Sequence, residues 1–175
     1  MQLVKANRVV ADRYQRVLDD APLPEGAILL PAERFLADHA ELAARTAPIG
    51  VLWPNSRRVS ELAPHLGRLS LIVLNFPTFK DGRAYSQARQ LREQYRFRGE
   101  LRAAGDVLRD QYQFMARAGF DAFEVKKDAD VAIFLKPPAR YSVVYQPAGD
   151  MLTPALRRRI FPAHEEFLSV GKPTE

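Results

Sequence analysis

Ser70-Leu-Ile-Val-Leu-Asn-Phe-Pro-Thr-Phe-Lys-Asp-Gly-Arg83 begins the stretch of sequence, residues 70–125, that decides the fold of this chain. Residues 71–74 are continuously apolar, which is typical of a parallel strand covered on both faces. A helical run, a strand from Glu100, a second helical run and the segment Ala122-Phe-Glu-Val125 follow. The order of these segments predicts strand, helix, strand, helix, strand.

Short apolar segments on the N-terminal side extend this alternation. Residues 27–30 and 49–53 are further strand candidates, and residues 141–146 alternate well enough to close the sheet. About five strands alternating with helices predict an α/β domain with a mostly parallel sheet. A complete eight-stranded α/β barrel needs ~250 residues, so a doubly wound sheet and a partial barrel both remain open. We expect one domain over residues 1–175: 1–25 peripheral, 26–147 the α/β core, and 148–175 a C-terminal extension.

Helix signals accompany the strands. Residues 82–95 and 107–118 are predicted helices with Asp81 and Asp106 as N-caps, and Gly119 fits a left-handed helix end. A short helix is expected at residues 128–134. Residues 8–20 follow a rough helical period in front of the core.

Composition limits the chemistry that this chain offers. The 175 residues include no cysteine, which excludes disulfides, thiolate catalysis and cysteine-bound zinc or iron–sulfur clusters. No apolar run reaches the ~20 residues of a membrane helix. The first residues lack the apolar core of a signal peptide, so we expect a cytoplasmic protein with no membrane partner.

The charge balance favours an acidic partner. Lys and Arg number 26 against 21 Asp and Glu, and no nucleic-acid motif accompanies the excess, so nucleic acid is not the expected partner. Glycine-rich phosphate loops and a nucleophile elbow are absent. His39, His65 and His164 lie in separate segments without metal-ligand spacing, so no metal site is predicted.

Polar residues gather where each predicted strand passes into its helix, and these transitions share one sheet edge in parallel α/β proteins. Lys80 and Arg83 stand beside a helix N-terminus that favours an anion, and Thr78 adds a hydroxyl donor. Asp81 competes with an anion for that position. The full set of anion- or partner-binding candidates is Thr78, Lys80, Asp81, Arg83, Arg102, Asp106, Arg109, Asp110 and Glu124.

Two interpretations of the carboxylates remain open. Asp106, Asp110 or Glu124 beside an arginine could perform acid–base work. Alternatively, Glu100, Arg102 and Glu124 form a structural ion-pair network, since an isolated charge on a central strand is costly. Catalytic residues and any cofactor stay undetermined at this point.

Three strings, together with the short Leu91-Arg-Glu93 between the first two, resemble a known bacterial family. The three strings are Asn75-Phe-Pro-Thr-Phe-Lys-Asp-Gly-Arg-Ala-Tyr-Ser86, Gly99-Glu-Leu-Arg-Ala-Ala-Gly-Asp-Val-Leu-Arg-Asp-Gln111 and Ala118-Gly-Phe-Asp-Ala-Phe-Glu124. Over residues 48–125 the chain resembles the domain of unknown function nine-thirty-four. Members of that family are typically encoded beside the haem- and iron–sulfur-containing sulfite reductase and are often labelled oxidoreductases of sulfite reduction.

The resemblance implies an accessory protein of assimilatory sulfate and sulfite reduction. Its implied partner is sulfite reductase or another enzyme of sulfur assimilation. The family offers no established catalytic residues to transfer to this sequence. A small enzyme, such as an oxidoreductase, acting on an anionic metabolite is one alternative, for which a bound flavin would be evidence. A non-catalytic scaffold domain is another.

Overall fold

An eight-stranded sheet organises residues 1–18 and 21–136, the part of the chain that the computed structural model describes. Its strands are β1 Gln2–Lys5, β2 Arg8–Val10, β3 Gln15–Arg16, β4 Ile28–Pro31, β5 Ile49–Trp53, β6 Leu69–Phe76, β7 Glu100–Gly105 and β8 Ala122–Val125. The strand predicted at residues 141–146, the proposed C-terminal extension and His164 lie outside the described residues.

The strand order confirms a mostly parallel α/β fold and corrects the strand count. The order across the sheet is β2-β1-β8-β7-β6-β5-β4-β3, with β3 to β8 parallel and β1 antiparallel to both β2 and β8. The described sheet therefore has eight strands, where about five were predicted. From β3 to β8 the chain advances one position at a time without reversing, and the sheet curls into a half-barrel. The partial barrel forms, and the doubly wound alternative is wrong.

The three additional strands come from residues 2–16. The helix expected over residues 8–20 is wrong, because Arg8–Val10 pairs with β1 and Gln15–Arg16 pairs with β4. The turn between β1 and β2 holds Ala6 and Asn7 at φ values of 49° and 59°. Two consecutive left-handed residues make the tight turn that suits the twist of a hairpin.

The described residues contain five short α-helices, four between strands and one after β8: α1 Ala32–Ala37, α2 His39–Leu42, α3 Arg83–Arg89, α4 Tyr112–Ala118 and α5 Asp128–Phe134. α3 continues as a π-helical turn, Gln90–Gln94, and 3-10 turns occupy Val59–Glu61, Ala63–Arg68 and Arg109–Gln111. The bounds of α5 match the prediction, and Gly119 ends α4 at φ 109° as expected.

Neither predicted N-cap aspartate takes the cap position. Gly82 precedes α3, and Asp81 lies one residue further out. The helical region after β7 begins with the 3-10 turn at Arg109, so the N-cap assignment of Asp106 is wrong. The backbone N–H of Asp106 donates to the carbonyl of Phe76, which holds this residue in the exit from β7.

The two faces of the sheet differ in what they bury. The face toward the helices, here the helix face, carries the main apolar core, which includes Trp53, Ile72, Leu74 and Leu101. The opposite face carries a smaller apolar cluster of Tyr14, Leu29, Leu71, Val73 and Ala104. Within the described residues, no helix combines the length and apolarity that crossing a bilayer requires.

Candidate functional site

The segments that leave β6, β7 and β8 meet at one edge of the sheet. The amide of Gln111 donates to the carbonyl of Phe79 at 3.3 Å, which joins the first two segments. Lys126 Nζ lies 3.5 Å from Asp106 Oδ1, which joins the second and third. We call this edge, residues 77–83, 106–111 and 126–127, the rim. Parallel α/β proteins usually bind ligands at the equivalent edge.

At the start of α3, the carboxylate of Asp81 is hydrogen-bonded to Arg83. The carboxylate accepts from the Arg83 backbone N–H at 3.2 Å, from Nε at 2.9 Å and from Nη2 at 2.7 Å. The Arg83 contacts hold the pKa of Asp81 well below its usual range. The Asp81 carboxylate therefore takes the place at Arg83 that a bound anion would otherwise occupy.

Three rim cations, Lys80, Arg109 and Lys127, form no ion pair among the described residues. All three are exposed. Lys80 Nζ lies 5.7 Å from the ring centroid of Phe79, whose side chain is 52% exposed. These cations are thus available to an incoming group.

The remaining rim candidates have distinct surroundings. Thr78 is exposed, and its carbonyl accepts the N–H of Asp81 at 3.1 Å. Asp110 is also exposed. Burial, with a smaller contribution from the charge of Asp110, raises the pKa of Tyr85 to about 12. Tyr85 therefore stays protonated at neutral pH.

Arg102 and Glu124 do not lie at the rim. They belong to an ion cluster on the face opposite the helices, whose members are Lys5, Asp12, Arg16, Glu100, Arg102 and Glu124. Arg102 is 1% exposed, and its Nη1 lies 2.6 Å from Asp12 Oδ2 and 3.3 Å from Glu124 Oε1. Its Nη2 lies 2.8 Å from Glu100 Oε1.

The cluster is balanced in charge. Arg16 donates to both Glu124 oxygens at 2.7 and 2.8 Å, and Lys5 Nζ lies 2.6 Å from Glu100 Oε2. Three cations thus face three carboxylates. This arrangement has the character of the structural network rather than of a poised acid–base pair.

The titration behaviour of the cluster agrees with that description. Burial works to raise the pKa values of Asp12 and Glu100, but the hydrogen bonds from Arg102 and, for Glu100, from Lys5 outweigh it, so both pKa values lie below normal. The same contacts raise the pKa of Arg102 despite its burial. The charged forms are therefore the stable ones at neutral pH.

A second recess lies where β5 ends. A groove of about 440 Å³ runs between the segment after β5 and the α3–π-helix continuation. Its lining residues are Asn55, Arg57, Arg58, Val59, Ser60, Arg83, Ser86, Gln87, Gln90, Gln94 and Tyr95. Of these, only Arg83 was a candidate from the sequence. The polar run Asn55-Ser-Arg-Arg-Val-Ser60 directly after a buried strand was the available signal.

The histidines show how distant segments can meet. The rings of His39 and His65 lie 5.1 Å apart between centroids, although the sequence separates them. Among the described residues, no group of three or more histidines, aspartates or glutamates is arranged to hold a metal ion.

Comparison with known proteins gives one clear result. A search among curated proteins finds none that matches this chain. The profile of a family described as "Bacterial protein of unknown function (DUF934)" matches residues 50–156. The match covers more than half of the chain and contains the three strings that carry the sequence resemblance. The chain therefore belongs to the DUF934 family of bacterial proteins.

Proposed function

We propose that this protein is an accessory protein of assimilatory sulfate and sulfite reduction that binds an acidic partner protein through its rim. The observation that carries the proposal is the pair of exposed cations, Lys80 and Arg109, which form no ion pair among the described residues. The family resemblance supports the pathway, and it makes sulfite reductase or another enzyme of sulfur assimilation the proposed partner.

The rim has the composition of a protein-binding surface. At the rim, the side chain of Phe79 is 52% exposed. Outside the rim on α4, Phe114 follows the rim residue Gln111 by three positions and is 61% exposed. Exposed aromatic groups supply contact area, and the nearby cations steer an acidic partner into position. Asp81, Asp106 and Asp110 interrupt the positive charge, which suits a protein better than a continuous phosphate backbone.

The enzyme alternative has less support from the geometry. General acid–base catalysis needs a carboxylate that exchanges protons near neutral pH. Of the acid–base candidates, Asp106 pairs with Lys126 and Glu124 is bound by two arginines, which leaves only the exposed Asp110 without an ion pair among the described residues. The scaffold alternative accounts for the ion cluster but does not explain why rim cations lack ion-pair partners among the described residues.

Growth of a strain lacking the gene tests the pathway. We expect slow growth when sulfate is the sole sulfur source and normal growth on sulfide, because sulfide enters after sulfite reduction. The wild-type gene should restore growth, and the variant Lys80→Glu/Arg109→Glu should not. The matched control is Arg8→Glu/Arg98→Glu, which makes the same charge change at exposed positions outside the rim.

Capture from sulfate-grown cells tests the partner. Wild-type protein and the control variant should retain sulfite reductase or another enzyme of sulfur assimilation in a salt-dependent manner, whereas the rim variant should lose it. Normal growth of the deletion strain on sulfate would overturn the pathway. Full rescue by the rim variant would overturn the role of Lys80 and Arg109.

A further inference from the structure

We propose that the groove between residues 55–60 and α3 binds a small hydrophilic organic anion that carries hydroxyl groups in addition to its charge. This site is separate from the partner surface proposed for Lys80 and Arg109. The argument rests on the composition of the groove, one buried oxygen without a partner, and one uncommitted cation.

The size and lining of the groove define the class of ligand. Its volume of about 440 Å³ falls within the ~300–1,000 Å³ typical of small-molecule sites. Among the described residues that line it, every one except Val59 has a polar side chain. An apolar or aromatic ligand would leave those groups without hydrogen bonds, so the groove favours a hydrophilic one.

Gln87 places a fixed, buried hydrogen-bond acceptor in the wall of the groove. Its side chain is 6% exposed, and Nε2 donates to the carbonyls of Pro54 at 3.1 Å and Arg57 at 2.9 Å. Those two bonds fix the orientation of the amide, since the reverse orientation would place Oε1 against both carbonyls. Oε1 itself has no hydrogen-bond partner among the described residues. Oε1 is also closed to solvent in this structure, so a ligand hydroxyl that displaces the adjoining groove wall would supply the missing donor.

The helix that lines the groove is locally widened. The N–H of Tyr95 donates to the carbonyl of Gln90 at 3.0 Å, which is the five-residue spacing of a π-helix. π-helical turns are rare and occur often at functional sites. Gln90 and Gln94, at the two ends of this turn, both line the groove and add further hydrogen-bonding groups.

Charge completes the description of the ligand. Arg57 pairs with Glu33 and Glu61, and Arg83 pairs with Asp81. Arg58 is exposed and forms no ion pair within the described residues, so it is the cation left to meet an anionic group. One free cation beside neutral donors and acceptors fits a phosphate or sulfate ester of a polyol better than a highly charged ligand.

Titration of the full-length protein with glycerol 3-phosphate and with inorganic phosphate tests this site. Calorimetry or amide chemical shifts should show saturable binding of glycerol 3-phosphate, at least about fivefold tighter than phosphate, because only the ester brings hydroxyl groups to Gln87. Arg58→Gln should weaken binding about fivefold. The control Arg8→Gln makes the same charge change on β2 and should leave the affinity unchanged.

A second variant isolates the acceptor. Gln87→Met should bring the two affinities together, provided that its circular dichroism matches the wild type. If that variant does not fold, the comparison of the two probes in wild type and Arg58→Gln decides the matter. Absence of saturable binding below about 10 mM, or insensitivity to Arg58→Gln, would overturn the site. Equal affinities of wild type for the two probes would overturn the organic class of ligand.

The two proposals can fail separately. Lys80→Glu/Arg109→Glu should retain glycerol 3-phosphate binding, and Arg58→Gln should retain capture of the partner protein. Loss of partner capture in Arg58→Gln would merge the two surfaces and contradict a separate small-molecule site.

Discussion

At the scale of single residues, Arg102 is the most demanding position in the described structure. Its guanidinium lies on a central strand, is 1% exposed, and contacts Asp12, Glu100 and Glu124. Removing one member of a buried ionic group leaves the other charges uncompensated, which costs far more than losing an exposed pair.

We therefore expect Arg102→Met to lower the free energy of unfolding by about 3–5 kcal/mol. The matched comparison is Arg89→Gln, which removes an ion pair to Glu93 whose two side chains are each 47% exposed. That change should cost about 0.5 kcal/mol or less. Urea unfolding followed by circular dichroism measures both. Similar losses in the two variants would contradict the central role of Arg102.

The sequence predicted only part of this cluster. Alternation along β7 places Glu100 and Arg102 on one face, and the cost of burying a charge requires partners for them. The partners Lys5, Asp12 and Arg16 were not predicted, because Asp12 and Arg102 are 90 residues apart in sequence. Local patterns carry no information about which distant charge will close such a network.

At the scale of secondary-structure elements, Gly105 controls how β7 enters the rim. It has φ +91°, and an added Cβ would overlap the carbonyl group of Phe76 on the neighbouring strand. Gly26 has a similar φ of +86°, but nothing lies within 4 Å of the position of its Cβ. An alanine at Gly26 would therefore meet backbone strain alone, whereas an alanine at Gly105 would meet both strain and steric overlap.

Gly26→Ala should cost about 1 kcal/mol, which is the strain of a left-handed alanine. Gly105→Ala should cost about 2 kcal/mol or more, because β6 and β7 must also move apart. Thermal and urea unfolding of both variants provides the measurement. Equal destabilisation would show that the rim accommodates the methyl group without rearrangement.

The elements themselves were predictable where burial dominates. The continuous apolar runs identified β4, β5 and β6 because parallel strands are covered on both faces. β2 and β3 were missed because they are three and two residues long and mostly exposed. Asp106 was misassigned because its N–H and carboxylate serve the rim contacts to Phe76 and Lys126, which a helix-cap pattern does not distinguish.

At the scale of the whole molecule, the ion cluster makes stability depend on pH. The pKa values of Asp12 and Glu100 lie below their ordinary values of 3.8 and 4.5 in the folded protein. The unfolded chain therefore binds more protons in acid than the folded chain does. The stability that Asp12 and Glu100 contribute is present at pH values above their ordinary pKa values. It is lost as the pH falls through their lower pKa values in the folded protein.

We expect the free energy of unfolding to decrease as the pH is lowered from about 5 toward 3, with a shallower decrease in Arg102→Met. The variant loses the contacts that depress the pKa values of Asp12 and Glu100. Its free energy of unfolding should therefore fall less as the pH is lowered. Urea titrations at several pH values compare the two proteins. An identical slope in both would show that other carboxylates govern the acid response.

The order of the sheet was partly readable at this scale. Regular alternation of strands and helices predicted the parallel series and the shared edge of its loops. It could not predict that β1 joins the far end, because the pairing of Gln2 with Val125 joins the two ends of the described chain. The curl that lets Arg16 of β3 reach Glu124 of β8 follows from the same long-range geometry.

The pairing of β1 with β8 also determines when the sheet can be completed during protein synthesis. β1 leaves the ribosome first, and its partner strand follows some 120 residues later, since Val4 pairs with Phe123. At roughly 5–20 residues per second, that interval is on the order of ten seconds. During that interval one edge of the β1–β2 hairpin has no partner strand. The antiparallel pairing of β1 with β8 forms only after β8 has been translated.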